Sequence, residues 1–262
     1  MQEPSSTEHC RTETVFGVPV TCCSMDYALS EIDRNIRSDR ERRYVSLTNT
    51  EAMYHAKRIH SHLKYIQNAA FSFCDGIGVV IAARCEGKKV CRINGPVLML
   101  KCCDYGVERK WRHYFCGGKP GVADLLSKKL TEKFPGMITA GTYSPPFRTM
   151  TEDEDREMVD QINATKPDIL WVGLGLLKQE RWIAEHIKKI KVPLMIPDGA
   201  AFEYHAGVTR WAPKPIRRIG LEWLWRFCFE PRRLFIRNIR SFIWLSQAVV
   251  HSLSKKRKRA ST

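Results

Sequence analysis

The sequence predicts an α/β protein: a Rossmann-like, mostly parallel sheet with helices on both faces, followed by a C-terminal helical appendage suited to associating with a membrane. Three observations point there. Between residues 16 and 205, short apolar runs alternate with helical stretches of roughly 10 to 15 residues, as in a parallel sheet joined by helical crossovers. Glycine-bearing loops close four of the runs, after Cys74, Cys116, Val172 and Pro197. Past Gly207 the chain changes to Trp, Phe and Arg with only two acids, Glu222 and Glu230. The organisation that follows is a flexible terminus (1–14), an α/β core (15–206), a basic amphipathic helical appendage (207–254) and a basic tail (255–262).

Taken in order, residues 16–22 and 44–47 are β-like runs, with helical spacing over 25–37 between them. Residues 50–67 read as a second helix and 69–74 as a strand. The turn Asp75-Gly76-Ile77-Gly78 then leads into an apolar helix over 79–84. Residues 111–116 form a strand ending in Gly117-Gly118-Lys119-Pro120-Gly121, with a helix over 122–134 behind it. A strand over 137–142 is closed by Pro145-Pro146, and 151–165 is an acidic amphipathic helix. Residues 168–173 form a strand opening into Gly173-Leu174-Gly175. A helix over 179–190 and a strand over 192–197 follow, the latter ending at Asp198-Gly199. In such folds ligands sit outside the carboxyl ends of the strands.

At 262 residues, 44% hydrophobic and 27% charged, the composition is ordinary for a soluble globular protein. The net charge of +15 is not. From Gly207 onward there are 14 lysines and arginines against two acids, so the preceding residues are nearly balanced. That end of the chain calls for a polyanionic partner, an anionic membrane or nucleic acid. The 10 cysteines include the adjacent pairs Cys22-Cys23 and Cys102-Cys103 but no CxxC, which excludes a zinc site and predicts free thiols in a reducing cytoplasm. No signal peptide is expected, because the first 15 residues are polar. The apolar run over 242–250 is too short to span a bilayer.

Four features carry possible chemistry. The turns at Gly117-Gly118 and Gly173-Leu174-Gly175 are either tight turns or places where backbone N–H groups meet a phosphate at a helix start. No GxGxxG or Walker sequence is present. Lys178-Gln179-Glu180, directly after the second turn, places a cation and an amide where a diphosphate or sugar would lie. Asp75 is either a general base at the end of an apolar strand or the N-cap of the following helix. Asp153-Glu154-Asp155 has the form of a metal-binding DxD, but Thr151 with Glu154 is a capping box, which explains the whole string. At the C-terminal end, Phe235, Ile239 and Phe242 share one helical face, with Arg233, Arg237 and Arg240 roughly opposite. That pattern suits either the headgroup level of an anionic membrane or a helix packed on the core.

The ordered series Val172-Gly173-Leu174-Gly175, Lys178-Gln179-Glu180-Arg181-Trp182 and Asp198-Gly199-Ala200-Ala201-Phe202 continues through Ala206-Gly207 and Ala212-Pro213. It ends with Gly220-Leu221-Glu222-Trp223-Leu224-Trp225-Arg226 and Glu230-Pro231-Arg232-Arg233-Leu234. With Asn49, Glu51 and the Asp75 and Gly117 turns, it resembles the WecG/TagA/CpsF glycosyltransferases over residues 16–240. The resemblance implies inverting, metal-independent transfer without a cofactor from a UDP-sugar, often of N-acetylmannosamine or its uronic acid. The implied acceptor is a polyprenyl-diphosphate-linked sugar for a bacterial surface polysaccharide or wall polymer. It implies a protein peripheral to the inner face of the plasma membrane.

On the same resemblance, the base falls on Asp75 and an active-site arginine on Arg92. The donor and diphosphate side falls on Asn49, Gly117, Gly118, Gly173, Gly175, Lys178, Gln179, Glu180 and Gly199. The acceptor and membrane side falls on Arg226, Arg232, Arg233 and Arg237. The family's Thr-x-Asn reads Leu47-Thr48-Asn49 here, so only Asn49 carries over. An acid expected after Gly95 is Val97, and Arg-Ala-Pro becomes Trp211-Ala212-Pro213. These departures touch the sugar-recognition region. The alternatives are a UDP-glucose-dependent exopolysaccharide glucosyltransferase of the same fold, or a non-enzymatic nucleotide- or nucleic-acid-binding module.

Overall fold

A computed structural model of the chain describes residues 10–38, 41–229, 239–250, 252 and 254. Its apolar runs form eight strands: β1 (Arg11–Val15), β2 (Val18–Cys22), β3 (Arg43–Thr48), β4 (Phe71–Cys74), β5 (Arg112–Gly117), β6 (Ile138–Tyr143), β7 (Ile169–Gly173) and β8 (Leu194–Pro197). They make one sheet in the order β1-β2-β4-β3-β8-β7-β5-β6. The β1–β2 hairpin is antiparallel and the other pairings are parallel. The hairpin corrects the expected flexible start at residues 11–14; residues 1–9 lie outside the described ones. Phe16 and Gly17 both take positive φ, as a tight two-residue hairpin turn needs, and the polar residues of β1 suit an edge strand.

Side chains in the central strands alternate between two buried cores. In β7, Ile169 and Trp171 join one core with helices α1 (Met25–Ser38), α5 (Gly95–Arg109), α6 (Val122–Lys133) and α9 (Gly199–His205). Leu170 and Val172 join the other, with α2 (Thr50–Ala56), α3 (His60–Asn68), α4 (Ile77–Cys85), α7 (Glu152–Ala164) and α8 (Lys178–His186). This is why the strands read as continuous apolar runs. The single helix expected over 50–67 is two. The break at 57–59 lets Met53 and Ala56 of α2, and Tyr65 and Ile66 of α3, reach the same core. Helix α5, which the sequence reading did not anticipate, starts at Gly95-Pro96. Proline is well placed in a first turn, and Asn94 caps the helix by accepting from Val97 N.

Past Gly207 the chain forms α10 (Lys214–Arg218) and α11 (Glu222–Phe229). Farther on, the helical stretch 239–250 lies against the core: Ser241 and Leu245 are buried, and Trp244 meets the rings of Phe16 and Tyr54 edge-on. Ile239, Phe242 and Ile243 of the same stretch stay exposed.

Candidate active site

Strands β3 and β8 are neighbours at the sheet centre. From β3 the chain moves outward to β4, whereas it enters β8 from the β7 side. A crevice therefore opens outside their carboxyl ends, where such sheets bind ligands. The loops there surround a cleft of about 1400 Å³. Asn49, Asp75, Gly118, Gly173, Gly175, Lys178, Gln179, Gly199 and Arg226 all line it, so most of the residues singled out in the sequence meet in one place.

Asp75 follows β4. It is not a helix cap: the N-cap of α4 is Gly76, with no side-chain capping bond. Instead Asp75 Oδ1 accepts from Asn94 Nδ2 at 3.2 Å and from Gly95 N at 3.3 Å. Burial pushes its carboxyl above the usual range, while the Gly95 N–H, Arg92, Asn94 and Arg226 pull the other way. Asn49 adjoins this turn and caps α2, accepting from Ala52 N at 2.9 Å.

Residues of α10 and α11 meet the core beside Asp75. Arg92 is half-buried beside the cleft, and its Nη2 donates to the Arg217 carbonyl at 2.8 Å and faces Glu222 Oε2 at 3.5 Å. Arg226 Nη2 lies 3.7 Å from Glu203 Oε2. Arg232, Arg233 and Arg237 lie outside the described residues.

The glycine turns correct the expectation of phosphate-facing amides. Gly118 N donates to the Gly173 carbonyl at 2.9 Å, and Gly175 N donates to Gln179 Oε1 at 3.2 Å. Gly117, Gly118 and Gly173 serve close packing, whereas Gly175, with open space around it, supplies the positive φ of +86° that its turn needs. A Cβ on Gly117, whose φ is +139°, would lie 2.5 Å from the Gly173 carbonyl, and one on Gly173 would lie 2.8 Å from the Phe202 ring. Gly117 is thus a support under the cleft. Glu180 is a second correction: it lies beneath the floor, 5% exposed, where burial raises its pKa to about 7. Gln179 Nε2 donates to it at 3.2 Å. Lys178 remains exposed at the rim.

The acidic string after Thr151 is a helix start. Thr151 and Glu154 form the reciprocal capping box, and Asp155 accepts from His186 Nε2 at 2.8 Å and Lys189 Nζ at 3.2 Å. Among the described residues, no group of three or more His, Cys, Asp or Glu is gathered for a metal ion.

Three site residues were not anticipated. Asp198 caps α9 through Ala201 N at 3.0 Å, and burial followed by the charge of Asp75 drives its carboxyl well above the ordinary range. Its Oδ2 is buried without a partner. The repeated strand-end Asp-Gly of Asp75-Gly76 and Asp198-Gly199 was the available signal. Asn94 before Gly-Pro was legible as a helix cap, and Glu222 stood out as an acid among cations.

The glycosyl transferase WecG/TagA/CpsF family model matches residues 13–259. The N-acetylglucosaminyldiphosphoundecaprenol N-acetyl-beta-D-mannosaminyltransferases of Staphylococcus aureus strains NCTC 8325, COL and N315 are similar to this chain. Each is 27% identical over 192 residues, covering 73% of this chain and 74% of the relative.

Proposed function

This chain belongs to the glycosyl transferase WecG/TagA/CpsF family and is a glycosyltransferase, and from that premise we propose that it transfers N-acetylmannosamine, or its uronic acid, from a UDP-sugar to a polyprenyl-diphosphate-linked sugar with inversion. The observation that carries this reading is Asp75: a desolvated carboxylate in the cleft whose two hydrogen bonds both fall on Oδ1. Oδ2 takes the proton from the acceptor hydroxyl as that oxygen attacks the anomeric carbon. UDP leaves from the opposite face, so one displacement inverts the centre. Negative charge growing on the departing diphosphate meets the cations of the rim, Arg226 and Lys178. The activity for which the Staphylococcus relatives are named supports the sugar and the lipid-diphosphate acceptor.

The acceptor's lipid tail requires a membrane surface, and the appendage suits one. Trp223 and Phe242 are exposed with ring centroids 5.4 Å apart, and Ile239 and Ile243 are exposed nearby in sequence. Among the described residues, no helix is long and apolar enough to cross a membrane. We place the protein peripherally on the inner, anionic leaflet, held by aromatic insertion and basic side chains.

The test is incubation of the purified chain with UDP-N-acetylmannosamine and a short-chain polyprenyl-diphosphate-N-acetylglucosamine, with UDP-glucose in parallel. A product heavier by one N-acetylhexosamine, seen by mass spectrometry, is expected. A hexose product from UDP-glucose alone would overturn the donor, and no product from any UDP-sugar would overturn the reading.

A further inference from the structure

On the side of the cleft away from the glycine turns, one amide joins two carboxylates. Asn94 Nδ2 donates to Asp75 Oδ1 at 3.2 Å and to Glu222 Oε2 at 3.1 Å, while Asn94 Oδ1 accepts from Val97 N. Every polar atom of that side chain is used. The same Glu222 oxygen faces Arg92 Nη2 at 3.5 Å. Asn94 and Glu222 are 128 residues apart, so the bridge forms only when α11 is seated on the core. The seat is close. At Gly220, with φ +79°, an added Cβ would lie 2.6 Å from Ile77 Cβ and 2.9 Å from Arg92 Nη1.

We propose that Glu222 is a positioning residue for the transfer: it holds Asn94 and Arg92, and through them keeps Asp75 correctly aimed and basic. The argument rests on Asp75 acting as the base, as above. Two effects combine. Asn94 cannot rotate away from Asp75 while its second hydrogen is bound to Glu222. Arg92, drawn to Glu222 and the Arg217 carbonyl, is kept from pairing directly with Asp75, which would lower the pKa of the base. The groups around Glu222 are Arg92, Asn94, Arg217, Trp211, Asp75, Asp198 and Tyr204; those around Asp75 are Arg92, Arg226, Asn94, Gly95, Glu222, Asp198, Tyr204 and Cys74.

The experiment measures kcat and KM against pH for the parent, Glu222→Ala, Glu222→Gln and Asp75→Asn. Glu222→Ala should lower kcat about 10- to 100-fold with donor KM changed less than about threefold. The acid limb of its kcat/KM profile should move down by about one pH unit, the direction expected when Arg92 is released toward Asp75. Glu222→Gln keeps an acceptor for Asn94 but no charge for Arg92. It should recover part of kcat and retain the shifted limb. A Glu222→Ala kcat within about twofold of the parent, or an unmoved acid limb, overturns the proposal. If the alanine variant does not fold, the glutamine limb decides alone. An active Asp75→Asn would show that the base assignment failed and took this inference with it. An inactive Asp75→Asn beside parent-like Glu222 variants would sink the inference only.

Discussion

The two rims of the cleft are built by different means. At the ends of β5 and β7 the rim is backbone: Gly117 lies in register with Gly173, Gly118 N bonds to the Gly173 carbonyl, and the missing Cβ atoms let the turns and Phe202 close up. At the end of β4 the rim is side chains: Asp75, Asn94, Arg92, Glu222 and Arg226, drawn from the core and from α11. The first rim is held by short-range packing and tolerates no added volume. The second depends on charges that must be brought together across the chain. Damage to the first should therefore show in stability, and damage to the second in the pH dependence and rate of transfer.

The largest effect is expected at Asp75. Asp75→Asn should reduce kcat by roughly 10²- to 10⁴-fold while UDP binding, read by calorimetry, changes little. Turnover near that of the parent with saturating donor would remove the base from the side-chain rim.

Gly117→Ala attacks the backbone rim. Its positive φ and the 2.5 Å approach to the Gly173 carbonyl predict a loss of roughly 2–4 kcal/mol in urea unfolding. Whatever activity survives should keep the parent's pH profile. A shifted profile with unchanged stability would erase the distinction between the rims.

Glu180 sharpens the comparison from below the floor. Its pKa is raised to about 7 by burial, so the fold favours the protonated form. Stability from this group is full below about pH 4.5 and is lost as pH rises toward 7. Glu180→Gln should match the parent near pH 4.5 and exceed it by about 1–3 kcal/mol at pH 8. Parallel denaturation curves at both pH values would contradict this. The smallest effect belongs to Asp153, which is 83% exposed on its side chain and paired with Arg156. Asp153→Asn should change transfer by less than about twofold, in EDTA or with Mg²⁺ alike. A loss restored by metal would revive the DxD reading.

Much of the backbone rim was legible in the sequence, because strand, glycine turn and helix follow one another within a few residues. The burial of Glu180 was not, since its residue type also suits a ligand-facing role. The seating of α8 against α3 is what the tertiary structure adds there. Helices α5 and α9 were overlooked for a related reason: Gly-Pro and Gly-Ala starts look like breaks until Asn94 and Asp198 are seen to cap them.

The sequence by itself determined the doubly covered sheet, the place of Asp75 at a strand end, the capping box at Thr151 and the charge of the C-terminal end. Each follows from neighbours in the chain, where side-chain alternation and capping act over one or two turns. Only the tertiary structure decided that Asp75 leaves the helix cap to Gly76 and binds Asn94 and Gly95 instead. It also decided that Glu222 faces Arg92 and that Gly118 spends its N–H on Gly173. The physical reason is separation. A carboxylate's partner is whichever donor the fold carries to within about 3 Å, and chain distance says nothing about which one that will be.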